Sequence, residues 1–327
     1  MDKTKTAGKM AVAGMMAVAG TMAAAVGGMV GAGVLISKTL IRPKGTSEDI
    51  IAEFADVEKM KEYETRMAPC SKWGEEQTFE NWYLNSRDGL KLHAFYLAAG
   101  IPTDKCVLLH HGFTSEAMHN MTHAKYFHEM GYEVVMLDLR AHGQSEGKYV
   151  GFGVLDRYDT EEWLKLCIEK FGENMKYVLH GTSMGATTVL MALGLPYVQE
   201  HVSAVIADCA FTSPEAIFSH VMKKDYHVPS FPFMEIGGIY SQFLAGYKFG
   251  DYSTLEALKD NRVPVLFIHG GKDKFVPTWM SDQNYEAATC KKRLLIVEEG
   301  GHGSSVFEDT ELYEKTEKEF LDEVFSM

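Results

Sequence analysis

Tyr177-Val178-Leu179-His180-Gly181-Thr182-Ser183-Met184-Gly185-Ala186 runs from an apolar segment into a helix-prone one ending near Leu193. A serine flanked two before and two after by glycine, between a strand and a helix, reads as a nucleophile elbow. The turn imposes strained backbone angles on the serine, and only residues without a side chain can pass so close beside it. The strain pushes Oγ into the open. Serine and glycine are common, so the pentapeptide alone is weak evidence, and the chain that follows has to support it.

Two later apolar runs do so. Val265-Leu266-Phe267-Ile268-His269 ends in Gly270-Gly271-Lys272-Asp273, and Leu294-Leu295-Ile296-Val297 ends in Gly300-Gly301-His302. Nucleophile, acid and base therefore follow in the order Ser, Asp, His, each just past the carboxyl end of an expected strand. Together with His110-His111-Gly112-Phe113-Thr114-Ser115, Asp138-Leu139-Arg140-Ala141-His142-Gly143-Gln144-Ser145-Glu146-Gly147, and Val276-Pro277 after the acid, these segments make residues 75 to 325 resemble the serine α/β-hydrolases. The resemblance is closest to a membrane-tethered, esterase-like bacterial branch. It implies an α/β-hydrolase fold: a mostly parallel central sheet flanked by helices, with a small cap insertion. Ala141 stands where relatives often carry glycine. Some relatives place the acid one strand earlier, which makes Asp208 the competitor of Asp273. The turn Gly271 to Pro277 matches the usual acid loop, so Asp273 is assigned.

The residue types fix the chemistry. A serine hydroxyl is a poor nucleophile near neutral pH, so His302 must take its proton and return it to the leaving group, while Asp273 holds the imidazole tautomer. Charge then develops on the carbonyl oxygen, and the N–H groups of Met184 and Phe113 are the expected oxyanion donors. His111 and Gly112 shape the loop that carries Phe113. Asp138, Arg140, His142 and Ser145 read as a hydrogen-bonded scaffold. No metal or organic cofactor is expected: His119, His123 and His128 share one helix face without a carboxylate at ligand spacing, which reads as a solvated helix.

Elsewhere, short β-branched or apolar runs alternate with helix-length segments: Cys106–His110, Tyr132–Asp138, Lys176–His180, Val202–Asp208, Val263–His269 and Lys292–Val297. That alternation implies a parallel sheet covered on both faces. Phe79–Leu84 and Leu92–Leu97 around Arg87-Asp88-Gly89 predict an antiparallel hairpin at its edge. Between Phe211 and Leu255, Phe218, Tyr226, Phe231, Phe233, Tyr240, Phe243 and Tyr247 crowd an insertion that reads as a cap. Phe231 and Phe233 are the expected substrate contacts, an apolar pocket wall and a glue for the cap being equal alternatives.

Three domain segments follow. Residues 1–44 carry Met10 to Ile36, which contains no charge and is flanked by lysine and arginine on both sides. Its length suits a single membrane-spanning anchor. A signal peptide cut near Ala23-Ala24-Ala25 is the competing reading, but the apolar run continues past it. The balanced flanking charges leave the side of the membrane open, extracytoplasmic placement being preferred. Residues 45–74 read as a linker with an amphipathic helix over Ser47–Met67, and residues 75–327 as the catalytic domain. The net charge of −13 opposes a nucleic-acid partner. Five cysteines at irregular spacing read as free thiols. The expected partner is a small-molecule or lipid ester, cleaved through an acyl-enzyme. Thioesterase, lysophospholipase-like and acyltransferase activities are variants on the same residues, with a peptidase or a silent binding protein further off.

Overall fold

The computed structural model describes residues 40–42, 57–225 and 227–326. In chain order the elements are α1 (Val57–Glu75), β1 (Glu80–Asn85), β2 (Lys91–Leu97), β3 (Lys105–His110), α2 (Met121–Glu129), β4 (Glu133–Asp138), α3 (Asp156–Phe171), β5 (Lys176–Thr182), α4 (Met184–Ala192), α5 (Pro196–His201) and β6 (Val202–Asp208). There follow α6 (Pro214–Asp225), α7 (Phe233–Ala245), α8 (Thr254–Leu258), β7 (Val265–Gly270), α9 (Trp279–Ala287), β8 (Lys292–Val297), α10 (Ser305–Glu308) and α11 (Thr310–Phe325). The strands form one sheet in the order β1-β2-β4-β3-β5-β6-β7-β8. From β4 to β8 neighbours are parallel, and the β1–β2 hairpin joins antiparallel through β2 to β4.

Continuous apolar strands are what a sheet covered on both sides requires. Along β3, Cys106 and Leu108 enter one core while Val107 and Leu109 enter the other; β4 divides the same way, Val135 and Leu137 against Val134 and Met136. The first core is closed by α3, α4, α8 and α9 and the second by α2 and α11, through Trp163, Val189, Leu258 and Met280 on one side and Phe127, Tyr313 and Phe320 on the other. Because the parallel strands all point one way, every loop after a strand opens on one edge. Ser183, Asp273 and His302 all lie on such loops.

Two features differ from the sequence expectation. The helix expected to end at Met67 runs on to Glu75 and packs on α2: Trp73 meets His128 with ring centroids 5.4 Å apart, and Gly74 lies so close to Met121 that a Cβ would stand 2.7 Å from it. From residue 57 onward the expected linker is thus part of the body. Residues 40–42, assigned to the anchor's flank, are also docked. Ile41 forms an antiparallel bridge with Tyr149, Val150 N–H donates to Leu40 O at 2.8 Å, and Arg42 reaches the carbonyls of Ser145 and Gly143. No described helix is long and apolar enough to cross a membrane. The run Met10–Ile36 lies outside the described residues, as does Tyr226 of the cap.

Candidate active site

Ser183 ends β5 and begins α4 with φ 56° and ψ −113°, a region that costs a non-glycine residue on the order of 1–3 kcal/mol. The glycines beside it are there for space. A Cβ on Gly181 would lie 2.3 Å from the Gly185 carbonyl carbon, and one on Gly185 2.2 Å from His110 O. The elbow is pinned from below as well: Ser183 N–H donates to Asp208 O at 2.8 Å.

Ser183, His302 and Asp273 are brought into one chain. Ser183 Oγ lies 2.8 Å from His302 Nε2, and His302 Nδ1 lies 2.7 Å from Asp273 Oδ2. Asp273 Oδ1 accepts from the N–H groups of Phe275 and Val276 at 2.8 and 2.9 Å. Burial alone would push this carboxyl up, but the facing His302 and the hydrogen bonds of His269 and His302 outweigh it and hold the group well below the usual carboxylate range. The loops carrying Asp273 and His302 are joined through Lys272 N–H, which donates to Gly300 O at 2.8 Å.

His269, four residues before the acid, escaped the sequence reading. Its Nε2 lies 3.3 Å from Asp273 Oδ2 and 2.9 Å from Val276 O, and its Nδ1 2.6 Å from Ser281 Oγ. Burial works against its charged form, yet Asp273 raises its pKa overall. The residue types at a strand end, His-x-x-x-Asp, are the only signal that could have pointed to it. Cys209, one of the five cysteines read as free thiols, is buried and has φ 51°. It sits behind Asp273 and His302, its sulfur and the nearest ligand atoms of both all lying within 4.8 Å of one another. The competing acid, Asp208, instead accepts from Tyr313 O–H at 3.2 Å, and burial pushes its carboxyl up to about 6.

The loop carrying Phe113 is clamped by two histidines. His111 Nε2 accepts Leu139 N–H at 3.1 Å and its Nδ1 lies 2.7 Å from Gly112 O; His142 Nε2 accepts Thr114 N–H at 3.3 Å and its Nδ1 lies 3.0 Å from Arg140 O. Both patterns require the neutral Nδ1–H tautomer. Burial enforces it, lowering His111 to about 3 and His142 to about 4. Asp138 braces the same loop system by accepting Ala117 N–H, Gln144 N–H and a contact from His93 Nδ1. Met184 opens α4, so its N–H has no intrahelical acceptor, and neither it nor Phe113 N–H donates to a backbone acceptor among the described residues.

The cap comprises α6 and α7, and its aromatic residues divide. Tyr247 and Phe249 are buried, Tyr247 O–H donating to Val150 O at 2.9 Å; these hold the cap down. Phe218 stacks edge-on against Phe152 at 5.1 Å, and Phe152 lies 5.1 Å from Phe113, so an aromatic wall leads from the cap to the loop carrying Phe113. Phe231, expected at the substrate, is 73% exposed, and that expectation is corrected: a side chain turned to solvent walls no pocket. Phe233 is half-buried. A hollow of about 460 Å³ lined by Ile101, Asp104, Lys105 and Gly131 opens at the start of β3, the opposite edge from Ser183.

The solvated histidine face is also corrected. His123 is buried because α2 lays it against β5 and α11, with its ring 4.3 Å from that of His180. A carboxylate is present after all: Glu317 Oε1 stands 3.1 Å from His180 Nε2, and ligand atoms of His123, His180 and Glu317 fall within 4.8 Å of one another. Burial, with Glu314 adding to it, pushes the Glu317 carboxyl well up, and burial lowers His180 to about 3. Burial thus works against charge on all three groups.

Comparison with known proteins gives three kinds of likeness. A family model described as serine aminopeptidase, S33, matches residues 101–230. The uncharacterized protein YqkD of Bacillus subtilis is 30% identical over 227 residues, 69% of this chain and 74% of its own length. The Arabidopsis thaliana α/β-hydrolase domain-containing protein WAV2 is 26% identical over 259 residues, 75% of this chain and 79% of its own. Among solved structures, the Pyrococcus furiosus esterase Pf2001 superposes with a TM-score of 0.61 at 22% identity, covering 76% of this chain and 92% of that one. At that identity the likeness is one of fold.

Proposed function

Because the chain belongs to the α/β-hydrolase family, we propose that it is a serine hydrolase cleaving carboxylic esters, with Ser183 as nucleophile, His302 as general base and acid, and Asp273 as the group that orients and stabilises the imidazole. The observation that carries this reading is the continuous hydrogen-bonded line from Ser183 Oγ through His302 to a carboxyl held ionised. As Oγ attacks the carbonyl carbon, His302 Nε2 takes its proton, and the N–H groups of Phe113 and Met184 receive the oxyanion. The tetrahedral adduct collapses, and His302 returns the proton to the departing alcohol. Water then repeats the sequence on the acyl-enzyme, releasing the acid and freeing Ser183. No step needs a metal.

The aromatic wall Phe113–Phe152–Phe218 supports an acyl or aryl group on the substrate. A peptidase reading draws on the description of the matching family model. Turnover of p-nitrophenyl esters beside aminoacyl p-nitroanilides separates the two, and efficient cleavage of the anilides alone overturns the esterase. We further propose that Met10–Ile36 tethers the protein to a membrane.

The triad is tested by Ser183→Ala and His302→Ala, each expected to cost about 10⁶ in kcat, and by Asp273→Asn, expected to cost about 10⁴. Fluorophosphonate labelling of the parent and not of Ser183→Ala is the matching chemical readout. Near-parental turnover in Ser183→Ala removes the mechanism. A severe loss in Asp208→Asn beside a mild one in Asp273→Asn moves the acid.

A further inference from the structure

Cap helix α7 carries an apolar face that the rest of the described chain leaves uncovered. Phe243 is 87% exposed, Ile239 66% and Tyr240 45%. Positions 239, 240 and 243 share one side of a helix, and Phe231 stands exposed just before it. Glu235 is the single charged residue between Phe233 and Ala245. Large apolar side chains gathered at this exposure mark a surface made for contact.

The place where the chain is tethered indicates the partner. Leu40 is fully buried, and its carbonyl accepts the N–H of Val150 at 2.8 Å, while the carbonyl of that same Val150 accepts Tyr247 O–H at 2.9 Å. Tyr247 lies two residues beyond the end of α7. One residue thus connects the docked amino-terminal segment to the foot of the cap helix. Ile36, the last residue of the uncharged run, precedes Leu40 by only four positions, and four residues of extended chain span at most about 14 Å. If that run lies in a bilayer, the bilayer surface is held beside the cap, not at a loose distance from it.

We propose that the exposed face of α7, with Phe231, docks onto the lipid surface and turns the entrance of the active site toward it, so that the substrate is a long-chain ester drawn from the bilayer. This deepens the esterase reading and rests on the membrane tether. Aromatic and aliphatic side chains on one face of a nearly uncharged helix suit the interfacial zone. The wall Phe218–Phe152–Phe113 begins in the same cap and ends at the oxyanion loop. An acyl chain leaving the lipid would meet apolar surface along the way to Ser183.

The test uses the full chain reconstituted into phosphatidylcholine vesicles. Phe243→Trp is compared with Leu312→Trp, an exposed position on α11, in lipids brominated along their acyl chains. The emission added at 243 is expected to be largely quenched and that added at 312 to persist. In parallel, Ile239→Glu/Phe243→Glu is expected to lower turnover of a vesicle-borne long-chain ester about tenfold or more, with hydrolysis of soluble p-nitrophenyl acetate unchanged; the soluble ester also reports that the variant is folded. Failure of the parent chain to sediment with vesicles overturns the tether and the docking with it. Sedimentation with an unquenched tryptophan at 243 overturns the docking and leaves the tether standing. An unquenched tryptophan accompanied by concentration-dependent dimers assigns the face to a second copy. Quenching in a protein that hydrolyses neither ester upholds the docking and removes the esterase.

Discussion

Glu317 is fully buried, and its carboxyl faces only His180 Nε2, 3.1 Å from Oε1, with no further hydrogen-bond partner among the described residues. Its pKa in the folded protein is raised above that of the unfolded chain, so its contribution to stability is complete below the unfolded pKa near 4 and declines as pH rises, by about 1.4 kcal/mol per unit at most. Glu317→Gln keeps the shape of the neutral acid and removes that decline. Its melting temperature is expected to equal the parent's near pH 4 and to exceed it increasingly toward pH 8. A loss of several kcal/mol at pH 7 would instead mean an ionised pair with His180. None of this was legible in the sequence, because His123, His180 and Glu317 come from three distant segments and no local spacing announces them. Ser183, Asp273 and His302 were legible because each stands at a strand end beside glycines. His269 and Cys209 were not, since apolar strand ends commonly carry such residues without consequence.

Among the elements, the strands were readable to within about two residues because burial on both faces demands unbroken apolar runs. The final turns of α1 were not: they are held by Trp73 and Gly74 against a later helix, a tertiary contact with no local signature. The short segment 40–42 has the same character and a measurable weight. A chain beginning at Lys38 keeps Leu40 and Arg42, whereas one beginning at Gly45 loses a buried leucine, its backbone bonds and the Arg42 clamp. The shorter chain is expected to be less stable by roughly 3 kcal/mol, seen as a melting temperature lower by several degrees; identical melting curves would show that the segment adds nothing. In the cap, Phe218→Ala is expected to slow hydrolysis of octanoyl esters more than acetyl esters, by up to about 0.8 kcal/mol for each methylene that loses its wall. Equal losses on both, with lowered stability, would make Phe218 another fastening of the cap.

At the scale of the molecule, the sheet order places the nucleophile loop centrally and gathers acid and base from the two strands beyond β6 toward one edge. The order Ser, Asp, His in the chain is therefore also an order in space. The intact protein is expected to sediment with membranes and a chain starting at Lys38 to stay in the supernatant; a mature amino terminus found near Val26 would instead mean a cleaved leader and a released enzyme. The separation of 119 residues between Ser183 and His302 bears on how the protein is made. A ribosome finishes the elbow long before it supplies the base, and α11, whose Tyr313 meets Asp208 directly beneath that elbow, comes later still. On the proposed mechanism, a growing chain carries Ser183 with no histidine to activate it until the loop of His302 has been made, so hydrolysis waits for the last strand of the sheet.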